Sequence, residues 1–287
     1  MAYKISVVIP AKNEAASIGQ VVSTINNTLP ATEIIVVDDG STDETATIAE
    51  ELGAKVARHP YPIGNGAAIK TGAKQATGDV IVFMDGDGQH DPNDIPRLIE
   101  KLEQGYDMAV GARGKESQAN LGRSMANGIY NRLASYMANQ QILDLTSGFR
   151  AVYADKFQEF IYLLPNGFSY PTTITMAFFR AGYTVAYTPI TAHKRQGKSH
   201  LRPLSDGIRF LLIIFKIATL YSPLKIFVPM SACFLFLGSS YGLYTLIYQS
   251  RFTNMSALWL ITSILIFLIG LVSEQITQLI YKSSNNS

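Results

Sequence analysis

Short apolar runs alternate with longer amphipathic stretches from Ile5 to Val110. Residues 5–9, 34–37, 55–57, 80–84 and 108–110 read as strands, and residues 14–28, 43–52, 67–75 and 93–103 read as helices. This alternation predicts an α/β fold, a mostly parallel sheet with helices on both faces. Ser41-Thr42-Asp43-Glu44 has the spacing of a capping box for the second helix. In such sheets ligands bind beyond the carboxyl ends of the strands. Polar residues stand at three of those ends: Pro10-Ala11-Lys12-Asn13-Glu14, Asp38-Asp39-Gly40-Ser41 and Asp85-Gly86-Asp87.

Beyond Asp206 the pattern changes to two long apolar stretches, residues 226–248 and 257–280. At about 1.5 Å per residue each is long enough, as a helix, to cross a hydrocarbon core of about 30 Å. A membrane protein is expected, organised as a soluble domain over 1–203, a juxtamembrane amphipathic helix over 204–222 and a transmembrane hairpin over 223–287. Arg209 and Lys216 are seven residues apart, on one face of that amphipathic helix, with Phe210, Leu211, Ile213, Ile214 and Ile217 as its apolar remainder. Glu274, near the end of the second span, is expected to reach the headgroups. Lys194, Arg195, Lys198, Arg202, Arg209, Lys216 and Lys225 precede the first span, while the loop between spans carries only Arg251. By the positive-inside rule the soluble domain and both termini are cytoplasmic. Met1-Ala2-Tyr3-Lys4 runs straight into a strand, so no secretory leader is expected. The single cysteine, Cys233, excludes an internal disulfide and a cysteine-rich metal site. Gly238, Ser239, Ser240 and Gly242 can pack helices within one subunit or between subunits, so a homo-oligomer stays open.

The chemistry concentrates in Asp85-Gly86-Asp87-Gly88-Gln89. Two carboxylates at a strand end suit Mg²⁺ or Mn²⁺, which take oxygen ligands and complete their shells with substrate phosphates. A calcium loop would need Gly and Glu where His90 and Pro96 stand. An aspartyl phosphatase fits poorly, with Gln89 where Thr or Val is usual. A plain Asp-Gly turn stays open on spacing alone. Gly64-Asn65-Gly66 lacks the third glycine of a dinucleotide fingerprint, at Ile69.

Four segments together resemble family 2 glycosyltransferases of the GT-A fold: residues 8–14, 36–43, 64–68 and 84–90. Asp144-Leu145-Thr146-Ser147-Gly148-Phe149-Arg150 and Arg195-Gln196-Gly197-Lys198-Ser199 are similar to the subgroup that makes polyprenyl-phosphate sugars. The resemblance implies a nucleoside-diphosphate sugar beside Pro10, Ala11, Asn13, Glu14, Asp38, Asp39, Lys70 and Gly86, with Asp38 also readable as a turn residue. It implies Mg²⁺ or Mn²⁺ on Asp85, Asp87 and Gln89, and catalytic roles for Asp85, Asp87, Arg195 and Lys198. Arg150, Arg123 and Ser147 would hold the acceptor phosphate, with Arg113 either assisting or structural. The implied partners are a nucleotide sugar, a polyprenyl phosphate and a membrane, with no nucleic acid. A transferase acting on a hydroxyl acceptor and a catalytically silent membrane scaffold are the alternatives.

Overall fold

A computed structural model of the chain describes residues 3–114, 121–167, 170–191, 215 and 219–284, without the side chains of 121–127 and 280–284. Two compact units divide near residue 201. The first is built on seven strands in the order β3-β2-β1-β4-β6-β5-β7. They are β1 (Ile5–Ala11), β2 (Glu33–Asp38), β3 (Lys55–Arg58), β4 (Val80–Phe83), β5 (Met108–Arg113), β6 (Arg150–Tyr153) and β7 (Val185–Ile190). Strands β3, β2, β1 and β4 run parallel, as do β5 and β7, whereas β6 lies antiparallel between β4 and β5.

Strands β1, β2 and β4 form where the sequence offers apolar runs, because both faces of the sheet are covered there, while the edge strand β3 is flanked by exposed Lys55 and Arg58. All four residues of β4 are fully buried. One face packs on α1 (Ile18–Thr28) and α4 (Ile95–Glu103), whose Ile18, Val22, Ile25, Ile95, Leu98 and Leu102 repeat at helical spacing and join Val7, Ile9, Val36 and Val82 in one core. The remaining helices of this unit are α2 (Thr45–Glu51), α3 (Asn65–Gln75), α5 (Leu121–Ala138), α6 (Ala154–Gln158) and α7 (Tyr170–Arg180).

Three local expectations change. Helix α1 starts at Ile18 rather than residue 14, because Asn13 takes a left-handed φ of 55° and Glu14 opens a turn whose carbonyl accepts from the Ile18 amide at 2.9 Å. Helix α2 has no capping box: Ser41 Oγ accepts instead from the Asn13 amide at 2.9 Å, and Asp43 Oδ1 accepts from the Thr45 amide at 3.1 Å. Strands β6 and β7 lay outside the sequence reading. β6 is four residues long and begins with an arginine, and β7 contains Pro189, which an edge strand tolerates.

The second unit holds α8 (Leu224–Gln249) and α9 (Asn254–Ser284), two helices long and apolar enough to cross a membrane. Ser231 and Ser263 each donate to the other's backbone carbonyl at 2.9 Å. In an apolar medium such reciprocal bonds satisfy hydroxyls that would otherwise be costly to bury. The expected amphipathic helix, with Arg209 and Lys216, lies outside the described residues.

Candidate active site

The parallel strands deliver their carboxyl ends, and β6 its amino end, to one edge of the sheet. On the β1–β2 side, Pro10 and Ala11 sit in register with Val37 and Asp38. Asn13 Oδ1 accepts from the Thr42 amide at 2.8 Å and the Glu14 amide donates to Thr45 Oγ1 at 2.8 Å, so the two strand-end loops brace each other. Asp38 is buried and its Oδ1 accepts from the Ser41 amide at 2.9 Å, as the turn reading expects.

Asp39 is 5% exposed and anchors a second loop. Its Oδ1 accepts from His59 Nδ1 and from the Ile63 amide, both at 2.8 Å, and its Oδ2 accepts from the Gly64 amide at 2.9 Å. Burial alone would raise this carboxyl, but those three donors outweigh it and hold the group below the usual carboxylate range. His59 Nε2 meets Thr71 Oγ1 at 2.9 Å, so a carboxylate, an imidazole and a hydroxyl form one chain. Because a carboxylate only accepts, Nδ1 carries the proton of the Asp39 pair. Spacing offered no signal for His59, since its partners are brought together by β2, the loop after β3 and α3.

Beyond β4, Asp85, Asp87 and Gln89 are partly exposed. Asp87 Oδ1 accepts from the Gln89 amide at 3.1 Å, Gly88 takes a left-handed φ of 72°, and Ser17 Oγ donates to the Gly86 carbonyl at 2.7 Å. The turn reading and the ligand reading are therefore compatible: the turn presents the carboxylates. His90 follows, 5% exposed and stacked on Phe149 at 5.2 Å. Burial depresses its pKa, with Asp85 and Asp87 pulling the other way. Its Nδ1 is buried with no hydrogen-bond partner among the described residues. Among the described residues, no cluster of three or more His, Cys, Asp or Glu side chains could cage an ion alone. Two carboxylates beside an amide fit a cation that draws its other ligands from phosphates.

The reversed strand β6 closes the far wall. Its register sets Phe83 opposite Arg150 and so carries Gly148 against Asp85. A Cβ at 148 would stand 2.8 Å from Asp85 Oδ2, so a larger residue there would push that carboxylate aside. Arg113 forks onto Asp144, Nε to Oδ2 at 2.7 Å and Nη2 to Oδ1 at 3.0 Å, and Nη2 also donates to Thr146 Oγ1 at 2.7 Å. Burial would raise Asp144, but the Arg113 guanidinium holds it low. Arg113 is thus the structural clamp of the 144–146 turn.

A carboxyl depressed in the folded state contributes stability that is present above its unfolded pKa of about 3.9 and lost as pH falls through the folded value. Melting temperatures scanned from pH 7 to pH 2 are therefore expected to lose this contribution only below about pH 4. Asp144→Asn should flatten that loss and cost about 2 kcal/mol at neutral pH, below the range for a fully buried pair because the Arg113 side chain is 28% exposed.

Three expected ligands stand elsewhere. Arg150 is fully buried, donating from Nη1 to the Pro171 carbonyl at 3.1 Å and to Thr175 Oγ1 at 3.2 Å, and from Nη2 to the Ser147 carbonyl. The Tyr170 ring lies 5.7 Å from its guanidinium carbon. With its fork committed inside the core, it pins α7 to the loop before β6 and is not placed to meet a lipid phosphate. Ser147 is likewise fully buried. Lys70 donates to the Leu164 carbonyl at 3.1 Å and to Asn166 Oδ1 at 2.5 Å, tying α3 to the 164–166 segment. The Arg123 side chain, Arg195 and Lys198 lie outside the described residues.

Residues 6–161 match Glycosyl transferase family 2, and residues 222–279 match the GtrB C-terminal hairpin. The chain belongs to glycosyl transferase family 2. A dolichyl-phosphate hexose transferase of Haloferax volcanii is 30% identical to this glycosyltransferase over 206 residues, 71% of this chain and 89% of that protein. A dolichol-phosphate mannosyltransferase of Pyrococcus furiosus is 44% identical over 116 residues, 38% of this chain and 33% of that protein. Glucosyl-3-phosphoglycerate synthase of Mycobacterium tuberculosis, solved with Mn²⁺, UDP and phosphoglyceric acid, shares 26% identity at a TM-score of 0.59. The alignment covers 74% of this chain and 78% of that one. Fold and hairpin together set this glycosyltransferase among the polyprenyl-phosphate sugar transferases, as its motifs implied.

Proposed function

We propose that this glycosyltransferase moves one hexose from a nucleoside-diphosphate sugar, of the UDP-glucose or GDP-mannose type, to a polyprenyl phosphate at the cytoplasmic membrane face. The observation that carries the reading is the presence on one chain of a partly exposed carboxylate edge at Asp85 and Asp87 and an apolar hairpin of the GtrB type. In this reading residues 1–203 are catalytic, 204–222 lie at the interface and 223–287 anchor the chain, with both termini cytoplasmic.

Pro10, Ala11, Asn13, Glu14 and Gly86 line the nucleotide-sugar side. Asp38 and Asp39 contribute by shaping its loops. Mg²⁺ or Mn²⁺ held by Asp85, Asp87 and Gln89 would supply positive charge for the departing diphosphate. With Arg150 and Ser147 buried, the acceptor phosphate falls to Arg123, Arg195 and Lys198, whose cations also neutralise the leaving group. A phosphate monoester, with a second pKa near 6, is already largely dianionic at pH 7 and needs no general base. Its oxygen attacks the anomeric carbon in line. The bond from that carbon to the diphosphate breaks with its electron pair leaving on the nucleotide, and the configuration inverts.

The test is transfer of labelled sugar from a panel of UDP- and GDP-sugars into solvent-extractable polyprenyl phosphate with Mg²⁺ or Mn²⁺. Acid-labile lipid label from one donor is expected. Label entering only hydroxyl acceptors, or none with nucleotide still bound, would overturn the reading.

A further inference from the structure

A cavity of about 360 Å³ opens between α3 and the 161–166 segment, lined among others by His59, Lys70, Thr71, Lys74, Tyr162 and Asn166. That volume is at the small end of the roughly 300–1,000 Å³ typical of ligand sites. Neither Asp85, Asp87 nor any residue of 10–14 contributes to its wall. The lining is one-sided in charge: two lysines, an imidazole, two hydroxyls and an amide, with no carboxylate. Helical spacing explains the grouping, since Ala67, Lys70, Thr71 and Lys74 fall on one face of α3. Gly66 lets that face sit close to its neighbour, because a Cβ there would meet the Pro165 carbonyl.

We propose that this cavity is a second anion site, separate from the Asp85 and Asp87 edge, which takes a small phosphorylated molecule. Lys70 is positioned by the Leu164 carbonyl and Asn166, which use two of the three donors of its ammonium. Lys74 is exposed and forms no ion pair among the described residues. Tyr162, 53% exposed, offers a ring face at the rim. The cavity also touches the loop that shapes the nucleotide wall. Thr71 is bonded to His59 and His59 to Asp39, while the Asp39 carboxylate holds the amides of Ile63 and Gly64, and Ile63 itself lines the cavity.

Calorimetric titration of the full detergent-solubilised chain with inorganic pyrophosphate, in EDTA and without donor sugar, tests the site directly. One equivalent should bind. Lys74→Glu should weaken it at least tenfold with an unchanged melting curve, and Lys74→Gln should weaken it less. Absence of binding overturns the proposal, as does affinity that survives Lys74→Glu, which would assign the anion to cations elsewhere on the chain. No turnover is needed, so the outcome is independent of the sugar-transfer reading.

Discussion

Asp87→Ala is expected to lower kcat for sugar transfer by about 10³-fold or more while leaving the protein folded. Loss of a group that stabilises charge developing on a leaving group typically costs about 10²–10³ in rate, or roughly 3–4 kcal/mol. Here the carboxylate would also hold the cation itself, which pushes the effect to the upper end. Stability should change little, because Asp87 is partly exposed at a strand end and not part of the apolar core. Asp87→Asn separates the two roles of the side chain: it keeps an oxygen able to accept from the Gln89 amide, yet loses the charge. Rates measured across Mn²⁺ concentrations, with melting curves beside them, decide the matter. Wild-type turnover in Asp87→Ala would remove Asp87 from the chemistry.

The second large effect is on stability. Arg150→Ala is expected to destabilise the soluble unit by about 4 kcal/mol, from a buried cavity together with carbonyls of Ser147 and Pro171 left without their donor. For a domain of this size that lowers Tm by roughly 10 °C. Arg150→Lys should recover only part of the loss, since an ammonium cannot reproduce a planar fork. The alternative role gives an opposite signature: an arginine holding acceptor phosphate would leave Tm unchanged and raise KM for the lipid. A variant with wild-type melting and a weakened acceptor KM would therefore return Arg150 to the site.

These two residues also show how far local spacing reaches. Asp85 and Asp87 were legible because they end a strand whose apolar run is unmistakable, and exposure at a strand end follows from the fold class. Arg150 and Ser147 belong to a motif of the same apparent polarity, yet they fold inward, because β6 enters the sheet antiparallel and no residue before it marks that reversal. Lys70 carries the same lesson on a helix: its spacing puts it on a face, but only the 164–166 segment decides what that face meets. His59 was invisible since Asp39, Ile63 and Thr71 converge on it from separate elements. His90 stood inside a recognised motif, but its stacking on Phe149 depends on a residue 59 positions away. The early strands and the hairpin survived because long-range packing there reinforces the local pattern. β7, broken by Pro189 at the sheet edge, had too weak a pattern to register.

The antiparallel entry of β6 means that the candidate edge is built from two separate stretches of chain. Strands β1, β2 and β4 bring one half by their exits, all before residue 90. The stretch after Arg113 leaves the sheet at this edge and comes back to it at Gly148, so its two ends are already neighbours, joined by the Arg113–Asp144 pair. A segment anchored in that way can lengthen, shorten or be exchanged without shifting the strands that carry the carboxylates. In the proposed reading, Arg123 on that segment can then be replaced without moving the strands that carry Asp85 and Asp87.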